Sequence, residues 1–259
     1  MMFQIKSYFK FLLKSTNEHG VHSPFVFSLV TQCFYDRKHY NAYDVLKNYR
    51  HWLNSDKGKI EVTDFGAGSR VFKSNERRVC DIAKNAGISK RHAELLHRIT
   101  HYLKARNILE IGTSLGIATA AMAEANRDAI ITTLEGCPAT AEVASGMFRQ
   151  FGYGNIKLKV TEFNAFLTSE HINSQKYDLI YFDGNHTRAA TLSYFTNLLP
   201  TVTNNTCWIF DDIHWSADMQ RAWETIKKHS AVSLTIDTYQ WGIVFFRKEQ
   251  TKEHFVIRI

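Results

Sequence analysis

Several features that mark specialised classes of protein are scarce or missing in this sequence. Proline occurs only 3 times in 259 residues, and no Pro-, Gly- or Ser-rich linker divides the chain. No internal repeat is evident, and no apolar run is long enough to cross a bilayer. We therefore expect one large α/β domain, or one domain with a helical extension.

Cysteine is also sparse and widely spaced. The four cysteines are Cys33, Cys80, Cys137 and Cys207, and no two of them form a Cys-x-x-Cys pair. This spacing argues against a zinc site or a disulfide framework. Reduced thiols in a cytoplasmic protein are the expectation.

What is present is the composition of an ordinary globular protein, with 44% hydrophobic and 22% charged residues. The net charge of +7 permits an anionic partner, but the basic residues are scattered and no RNA-binding signature accompanies them. A nucleic-acid partner therefore stays open without being favoured. The oligomeric state also stays open, a homodimer included.

Residues 1–15 combine apolar side chains with three lysines, Lys6, Lys10 and Lys14. The lysines interrupt any apolar core and no small-residue cleavage site follows, so we do not expect a signal peptide. In a helix the lysines form one basic face, which allows attachment to a membrane surface. The favoured alternative is a helix that packs on its own protein through its Phe and Leu face.

The first hundred residues carry helical patterns and few strand signals. Pro24 suits the first turn of a helix over 25–30, and Ser89 can cap a helix that runs to Leu103. We expect residues 1–104 to form a helical N-terminal cap that provides the substrate region, and residues 105–259 to form the main domain. The Asp-Phe-Gly-Ala-Gly-Ser stretch at 64–69 is interpreted as a flexible loop, a candidate lid, because no second strand ending in an acid follows at about twenty residues.

The main domain is organised around residues 107–120, Asn-Ile-Leu-Glu-Ile-Gly-Thr-Ser-Leu-Gly-Ile-Ala-Thr-Ala. An apolar run ends in a Gly/Thr/Ser turn and restarts as an Ala-rich helix. Glycines let the backbone approach a ligand, and the N–H groups of the new helix face it. This strand–turn–helix pattern is typical of the first βα unit of a nucleotide-binding fold.

Strand and helix patterns then alternate along the chain, which predicts a mostly parallel sheet covered by helices. Only residues 238–242 separate the last two strands, so these should form an antiparallel hairpin. The predicted strands are Ile108–Ile111, Ala129–Leu134, Ile156–Val160, Tyr177–Phe182, Thr206–Phe210, Val232–Asp237 and Ile243–Phe246. The predicted helices between them are Ala118–Ala125, Ala139–Phe151, Phe163–Thr168, Arg188–Leu199 and Ala217–His229.

Six parallel strands with a seventh inserted antiparallel resemble the class I S-adenosylmethionine-dependent methyltransferases over about residues 107–247. The expected fold is thus a doubly wound, seven-stranded, mostly parallel α/β sheet of the Rossmann-like methyltransferase type, with a helical N-terminal extension. Ser114 replaces the middle glycine of the common Gly-x-Gly-x-Gly turn, and the pattern also differs from the Gly-x-Gly-x-x-Gly of a dinucleotide dehydrogenase. The wider Gly-x-x-x-Gly spacing resembles the metal-dependent O-methyltransferases, of the catechol type and their sugar- and macrolide-modifying relatives.

The resemblance implies that S-adenosylmethionine binds outside the carboxyl ends of the strands. Glu135, which ends the second strand, can accept hydrogen bonds from both ribose hydroxyls, and Asn164 is placed to meet the adenine amino group. The simpler alternatives are an acid that precedes a helix for Glu135 and a helix cap for Asn164. The predicted cofactor-binding residues are Glu110, Gly112, Thr113, Ser114, Gly116, Glu135, Asn164 and Asp183.

Acidic residues end the fourth and fifth predicted strands. Parallel neighbours in register bring Asp183 beside Asp211 and Asp212, and three crowded carboxylates repel unless a hard cation such as Mg²⁺ holds them. The alternative for Asp212 alone is a helix cap. The Asp-Gly-x-His segment is similar to that of sugar and macrolide O-methyltransferases, so His186, with a pKa near neutrality, inherits the role of base by resemblance. His214 is a weaker candidate for that role.

The sequence therefore predicts a divalent-metal-dependent O-methyltransferase that acts on a hydroxylated small molecule, with a sugar or glycoside among the candidates. Two alternatives remain. One is a metal-independent methyltransferase acting on RNA or protein, although no Asn-Pro-Pro-Tyr-type motif is present. The other is a non-catalytic module that keeps the cofactor site and uses its N-terminal helices for partners.

Overall fold

A computed structural model describes residues 2–63, 74–85 and 87–259. The predicted loop at 64–69 lies outside these ranges. The chain divides into two compact units. One unit, here called the split unit, contains residues 1–36 and 164–259, and the other, the continuous unit, contains residues 37–163.

The described residues form ten α-helices and ten strands, together with short 3-10 or π-helical segments at 18–20, 30–34, 170–174 and 199–201. The helices are α1 (Met2–Lys14), α2 (Pro24–Leu29), α3 (Asn41–Ser55), α4 (Val79–Asn85), α5 (Lys90–Tyr102), α6 (Ile117–Ala125), α7 (Pro138–Gln150), α8 (Phe163–Leu167), α9 (Arg188–Leu198) and α10 (Ala217–Lys228). The strands are β1 (Lys59–Glu61), β2 (Glu76–Arg78), β3 (Asn107–Ile111), β4 (Ile130–Glu135), β5 (Ile156–Val160), β6 (Leu179–Phe182), β7 (Cys207–Phe210), β8 (Leu234–Asp237), β9 (Gly242–Phe245) and β10 (Glu253–Val256).

The continuous unit contains three parallel strands in the order β3–β4–β5. β3 is buried over its last four residues, as expected of a strand covered on both faces. α6 packs against α3 and α5 within this unit, and its small alanine side chains allow that close approach. Ser89 caps α5 as predicted, because its Oγ accepts a hydrogen bond from the His92 N–H at 3.2 Å.

The split unit contains five strands in the order β10–β8–β9–β7–β6. β6 pairs parallel with β7, and β9 lies antiparallel between β7 and β8. β10 adds a parallel strand beside β8. An isolated parallel bridge joins Thr16 to Ile257, just beyond β10.

The predicted architecture, a mostly parallel Rossmann-like sheet with helices around it and helices at the N-terminus, is confirmed. The antiparallel hairpin of β8 and β9 is also confirmed. The prediction of seven strands was one strand short, because β10 has only four residues and mixes polar with apolar positions. The early residues also contain the antiparallel pair β1–β2, which is short and charged and so lacks a hydrophobic signal. No helix in the described ranges is long and apolar enough to cross a membrane.

Candidate functional site

The turn between β3 and α6 has the backbone of a ligand-binding loop. Gly112, Ser114 and Gly116 all have positive φ, at 101°, 49° and 80°. The N–H groups of Gly112 and Thr113 donate to the Leu134 carbonyl of β4 at 3.0 Å, which fixes the start of the turn against the neighbouring strand. The Thr113 and Thr133 hydroxyls add a hydrogen bond of 2.5 Å. The turn is therefore held in shape before any ligand arrives.

Gly116 is required by space as well as by conformation. A Cβ at this position would lie 2.5 Å from Phe148 Cε1 and 2.7 Å from the Tyr49 hydroxyl oxygen, closer than real Cβ contacts. The same Tyr49 hydroxyl donates to the Leu115 carbonyl at 2.9 Å. α3 thus supports the turn. Tyr49 is one of the regularly spaced buried residues of α3, so the sequence alone gives no sign of this role.

Glu135 ends β4 and points back to the turn. Its carboxylate accepts hydrogen bonds from the Ser114 N–H at 2.8 Å and the Cys137 N–H at 2.9 Å. Burial raises the pKa of Glu135, and the backbone N–H groups around it oppose that rise. A carboxylate offers about four acceptor sites, more than the donors at hand. Glu135 therefore has the capacity to accept further donors such as ribose hydroxyls.

Glu110 lies beneath the turn. It is completely buried, and its Oε2 accepts hydrogen bonds from Thr119 Oγ1 at 2.5 Å and Thr133 Oγ1 at 2.6 Å. These bonds join β3 to the first turn of α6 and to β4. The geometry makes Glu110 a support for the loop from below.

Asn164 belongs to the split unit and is exposed as the second residue of α8. Its side-chain Oδ1 accepts a hydrogen bond from Ser193 Oγ at 3.4 Å. Because it lies inside the helix, Asn164 is not the residue that caps it.

The carboxyl ends of β6 and β7 bring the predicted acidic residues together. Phe182 and Phe210 are paired in the parallel register, so Asp183 and Asp211 follow directly paired residues. The Tyr181 hydroxyl donates to Asp211 Oδ2 at 3.0 Å and lies 3.4 Å from Asp183 Oδ2. Tyr181 thus joins the two carboxylates, which its place in a predicted strand did not reveal.

Asp211 and Asp212 share a second donor, Gln240, from the turn between β8 and β9. Gln240 Nε2 lies 2.8 Å from Asp211 Oδ1 and 2.6 Å from Asp212 Oδ1. The Asp212 N–H donates to Asp211 Oδ1 at 2.7 Å, and Asp212 has a positive φ of 55°. Within the ranges that the structure describes, no three His, Cys, Asp or Glu side chains form a ready metal centre.

The acidic cluster, defined as Asp183, Asp211 and Asp212, has unusual electrostatics. Burial and the charge of Asp211 raise the pKa of Asp183 to about 8, against the lowering effect of His186. Burial and the charge of Asp211 also raise the pKa of Asp212, to about 6. For both aspartates burial is the largest cause of the raised pKa, and the neighbouring charge of Asp211 adds to it.

His186 lies beside the acidic cluster, with Nε2 at 3.5 Å from Asp183 Oδ1 and about a quarter of the side chain, 24%, exposed. Burial lowers its pKa, but the hydrogen bond to Asp183 and the charges of the three aspartates outweigh that effect and raise the pKa to about 9. The expectation of a pKa near neutrality was therefore wrong. The pKa of His186 is raised because the carboxylates of the acidic cluster stabilise the imidazolium.

His214, the weaker candidate base, is fully engaged elsewhere. Its Nδ1 lies 2.9 Å from Ser7 Oγ and its Nε2 lies 2.9 Å from Asp237 Oδ2. The ring also stacks on Tyr239 and is only 8% exposed. Since both ring nitrogens have partners within the split unit, His214 holds α1 in place and has no nitrogen left to contact a substrate.

Comparison with known proteins identifies the domain that contains these residues. Residues 109–213 match the family described as a methyltransferase domain. These residues are a methyltransferase domain. The prediction of a class I, S-adenosylmethionine-dependent methyltransferase is confirmed. No curated protein matches the sequence itself.

Solved methyltransferases share the fold over most of the chain. A methyltransferase from Podospora anserina bound to SAH is 17% identical, with a TM-score of 0.61 over 88% of this chain and 97% of its own. An O-methyltransferase from Bacillus cereus in complex with SAH is 18% identical, with a TM-score of 0.56 over 84% of this chain and 96% of its own. The O-methyltransferase TomG of Streptomyces achromogenes, involved in tomaymycin synthesis and solved with SAM, is 17% identical, with a TM-score of 0.55 over 84% and 95% of the two chains. At these identities the likeness concerns the fold of the methyltransferase.

Proposed function

We propose that this methyltransferase transfers a methyl group from S-adenosylmethionine to a hydroxyl oxygen of a small molecule, assisted by a divalent cation. The observation that carries the proposal is the grouping of His186 with three carboxylates at the ends of β6 and β7. Oxygen methylation needs a group that removes the hydroxyl proton, and a histidine held by an acid is suited to that task. Two of the structural relatives, from Bacillus cereus and Streptomyces achromogenes, are O-methyltransferases, which supports this acceptor chemistry.

The cofactor half of the site is proposed to consist of the turn at 112–116 with Glu135. Glu135 would accept the two ribose hydroxyls, and the turn would lie against the rest of the nucleoside and the methionine portion. Glu110 would act through the turn, by keeping it in shape. Asn164, facing the adenine amino group, and Asp183 stay as proposed further contacts to the cofactor.

The oxygen atoms of the acidic cluster are suitable ligands for a divalent cation. In the described ranges they are not arranged as a complete set of metal ligands. Asp183, Asp211 and Asp212 supply only oxygen donors, which suit Mg²⁺ better than zinc. Burial and the charge of Asp211 raise the pKa values of Asp183 and Asp212, and a cation bound there would favour the ionised carboxylates. When bound, the cation would lower the pKa of the acceptor hydroxyl and, by offsetting the carboxylates, that of His186.

His186 would accept the acceptor's proton at a ring nitrogen while Asp183 keeps the ring oriented. Tyr181 and Gln240 would hold Asp211 and Asp212 in position through their hydrogen bonds. The acceptor oxygen must meet the sulfonium methyl in line, so positioning supplies much of the rate acceleration. Residues 1–104 are proposed to shape the acceptor pocket, and a sugar or glycoside is among the candidate acceptors. The proposed compartment is the cytoplasm.

The test is a screen of hydroxylated metabolites for release of S-adenosylhomocysteine, run with Mg²⁺ and with EDTA. Asp211→Asn should abolish Mg²⁺-dependent turnover while SAH binding, measured by calorimetry, stays within threefold of the unmodified protein. Asp128→Asn, at an exposed position in the turn between α6 and β4, is the matched control. Full activity of Asp211→Asn in EDTA would exclude the metal-assisted reaction. Tight RNA binding that weakens steeply with salt would favour the nucleic-acid alternative instead.

A further inference from the structure

α1 exposes an apolar face that its own unit does not cover. Met2, Ile5, Phe9 and Leu13 are 77%, 51%, 61% and 87% exposed. Their spacing of three or four residues places them on one side of the helix. More than half of the large exposed hydrophobic side chains in the described ranges are on α1. Isolated exposed apolar residues are common, but a continuous row of this kind marks an interaction surface.

The opposite side of α1 is fixed to the split unit. Ser7 and Phe11 are its buried residues, and Ser7 Oγ lies 2.9 Å from His214 Nδ1. The Tyr239 hydroxyl donates to the Gln4 carbonyl at 2.9 Å, and the Tyr239 ring packs on Phe11 at 5.5 Å between centroids. These contacts determine which face of the helix points outward. The sequence expectation that α1 packs on its own protein therefore describes one of its two apolar sides.

A row of positive charge adjoins the exposed face. Lys6, Lys10 and Lys14 follow one another at every fourth position and are exposed. In the described part of the chain none of the three forms an ion pair, and α1 has no acidic residue. An apolar face beside a lysine row is the arrangement that buries hydrocarbon at a bilayer interface while its charges meet anionic headgroups.

We propose that α1 docks this methyltransferase onto an anionic membrane surface, with Met2, Ile5, Phe9 and Leu13 inserted between the headgroups. The lysine row supplies the complementary charge, about 1 kcal/mol per lysine, or about fivefold in affinity. Docking of this kind lies in the plane of the interface, and the helix does not cross the membrane.

A second copy of the chain fits the face less well. With 13 residues α1 is roughly 20 Å long and about 10 Å wide, so its footprint is roughly 200 Å². A stable interface buries about 800 Å² per partner. Antiparallel pairing of two α1 helices along this face would also bring their lysine rows side by side.

The test is flotation of the full chain with vesicles of phosphatidylcholine alone and of phosphatidylcholine with about 30% phosphatidylglycerol. Binding is expected only to the anionic vesicles and should weaken with salt. Lys6→Gln with Lys10→Gln should lower the partition coefficient about 30-fold. Phe9→Gln with Leu13→Gln should lower it more than tenfold. Trp52→Gln, an exposed aromatic on α3, and Lys228→Gln, an exposed lysine on α10, are the matched controls and should leave it unchanged.

Two results would overturn the proposal. One is equal binding of the unmodified chain and both double variants to anionic vesicles, or no binding at all. The other is a stable dimer, measured by light scattering, that Phe9→Gln with Leu13→Gln converts to monomer, since the face would then be a contact between copies. The substituted side chains are exposed, so circular dichroism and Tm should match the unmodified protein in every variant.

Discussion

Glu135→Gln is the sharpest test of the proposed cofactor site, because it changes charge and hydrogen-bonding capacity but hardly any volume. In the structure the two carboxylate oxygens accept the Ser114 and Cys137 N–H groups. A glutamine keeps one acceptor oxygen and presents an NH₂ group in place of the other. The glutamine oxygen can therefore accept one of these N–H groups. Its NH₂ group would face the other N–H group, and two donors cannot form a hydrogen bond.

The magnitude follows from the bonds that are lost. A hydrogen bond to a charged group contributes about 1.5–3 kcal/mol and a neutral one about 0.5–1.5 kcal/mol. Exchanging two charge-assisted bonds to the ribose hydroxyls for neutral or missing ones should cost about 2–3 kcal/mol in binding. This corresponds to a Kd about 30- to 150-fold weaker. Stability without ligand should fall by about 1–3 kcal/mol, because one backbone N–H loses its acceptor.

The assay is isothermal titration calorimetry with S-adenosylhomocysteine, which keeps the adenosine portion but not the sulfonium charge. Glu142→Gln makes the same chemical change at an exposed position of α7 and should bind like the unmodified protein. Chemical unfolding of all three proteins separates loss of affinity from loss of fold. A Kd for Glu135→Gln within threefold of the Glu142→Gln value would refute the assignment of Glu135 to the ribose.

Three further predictions concern stability. Gly116→Ala should lower the free energy of unfolding by about 2–4 kcal/mol, because the new Cβ would collide with Phe148 and the residue has a positive φ. Gly146→Ala in α7 is the control. Nothing lies within 4 Å of its Cβ position, so thermal unfolding should show no change or a small gain in stability. Burial, assisted by nearby positive charge, lowers the pKa of His97 to about 4, so the unfolded chain takes up the proton first and stability is full above pH 6.5 but falls by about 3 kcal/mol towards pH 4. Urea unfolding across that range should lose this part of its pH dependence in His97→Leu, and an unchanged profile would contradict the mechanism. Gln240→Leu should cost about 2 kcal/mol because two aspartates lose a shared donor, and Mg²⁺ should restore part of that loss in Tm; Gln150→Leu, exposed at the end of α7, is its control.

The βα units of the main domain could be predicted from sequence because their signals are local. β3, β6 and β7 are buried apolar runs, whereas β5 alternates apolar residues with lysines. In each case a helix follows after a short polar or glycine-containing turn. β3, β5 and the helices after them fall within one or two residues of the predicted bounds. The meeting of Asp183 and Asp211 also followed from pattern alone, since parallel register places the residues after paired strand ends side by side.

What escaped prediction depends on neighbours that are distant in sequence. Gln240 reaches Asp211 across 29 positions, and Tyr49 reaches Leu115 across 66. Neither residue belongs to a motif, so only the folded chain shows their role. The pKa of His186 was misjudged for a related reason, because three carboxylates from two strands act on it together. β10 was missed because its four residues gain their place from pairing with β8 rather than from their own hydrophobicity.

The split unit is made of two segments from opposite ends of the chain, so the two units cannot fold at the same time during translation. Residues 37–163 form contacts among themselves, so that unit has all its pieces once residue 163 has emerged. The Thr16 bridge to Ile257 and the hydrogen bond from the Tyr35 hydroxyl to the Arg258 carbonyl must wait for nearly a hundred later residues. Until then the apolar side chains of α1 and α2 lack the later strands of their own unit, so they stay exposed on the nascent chain while the continuous unit folds.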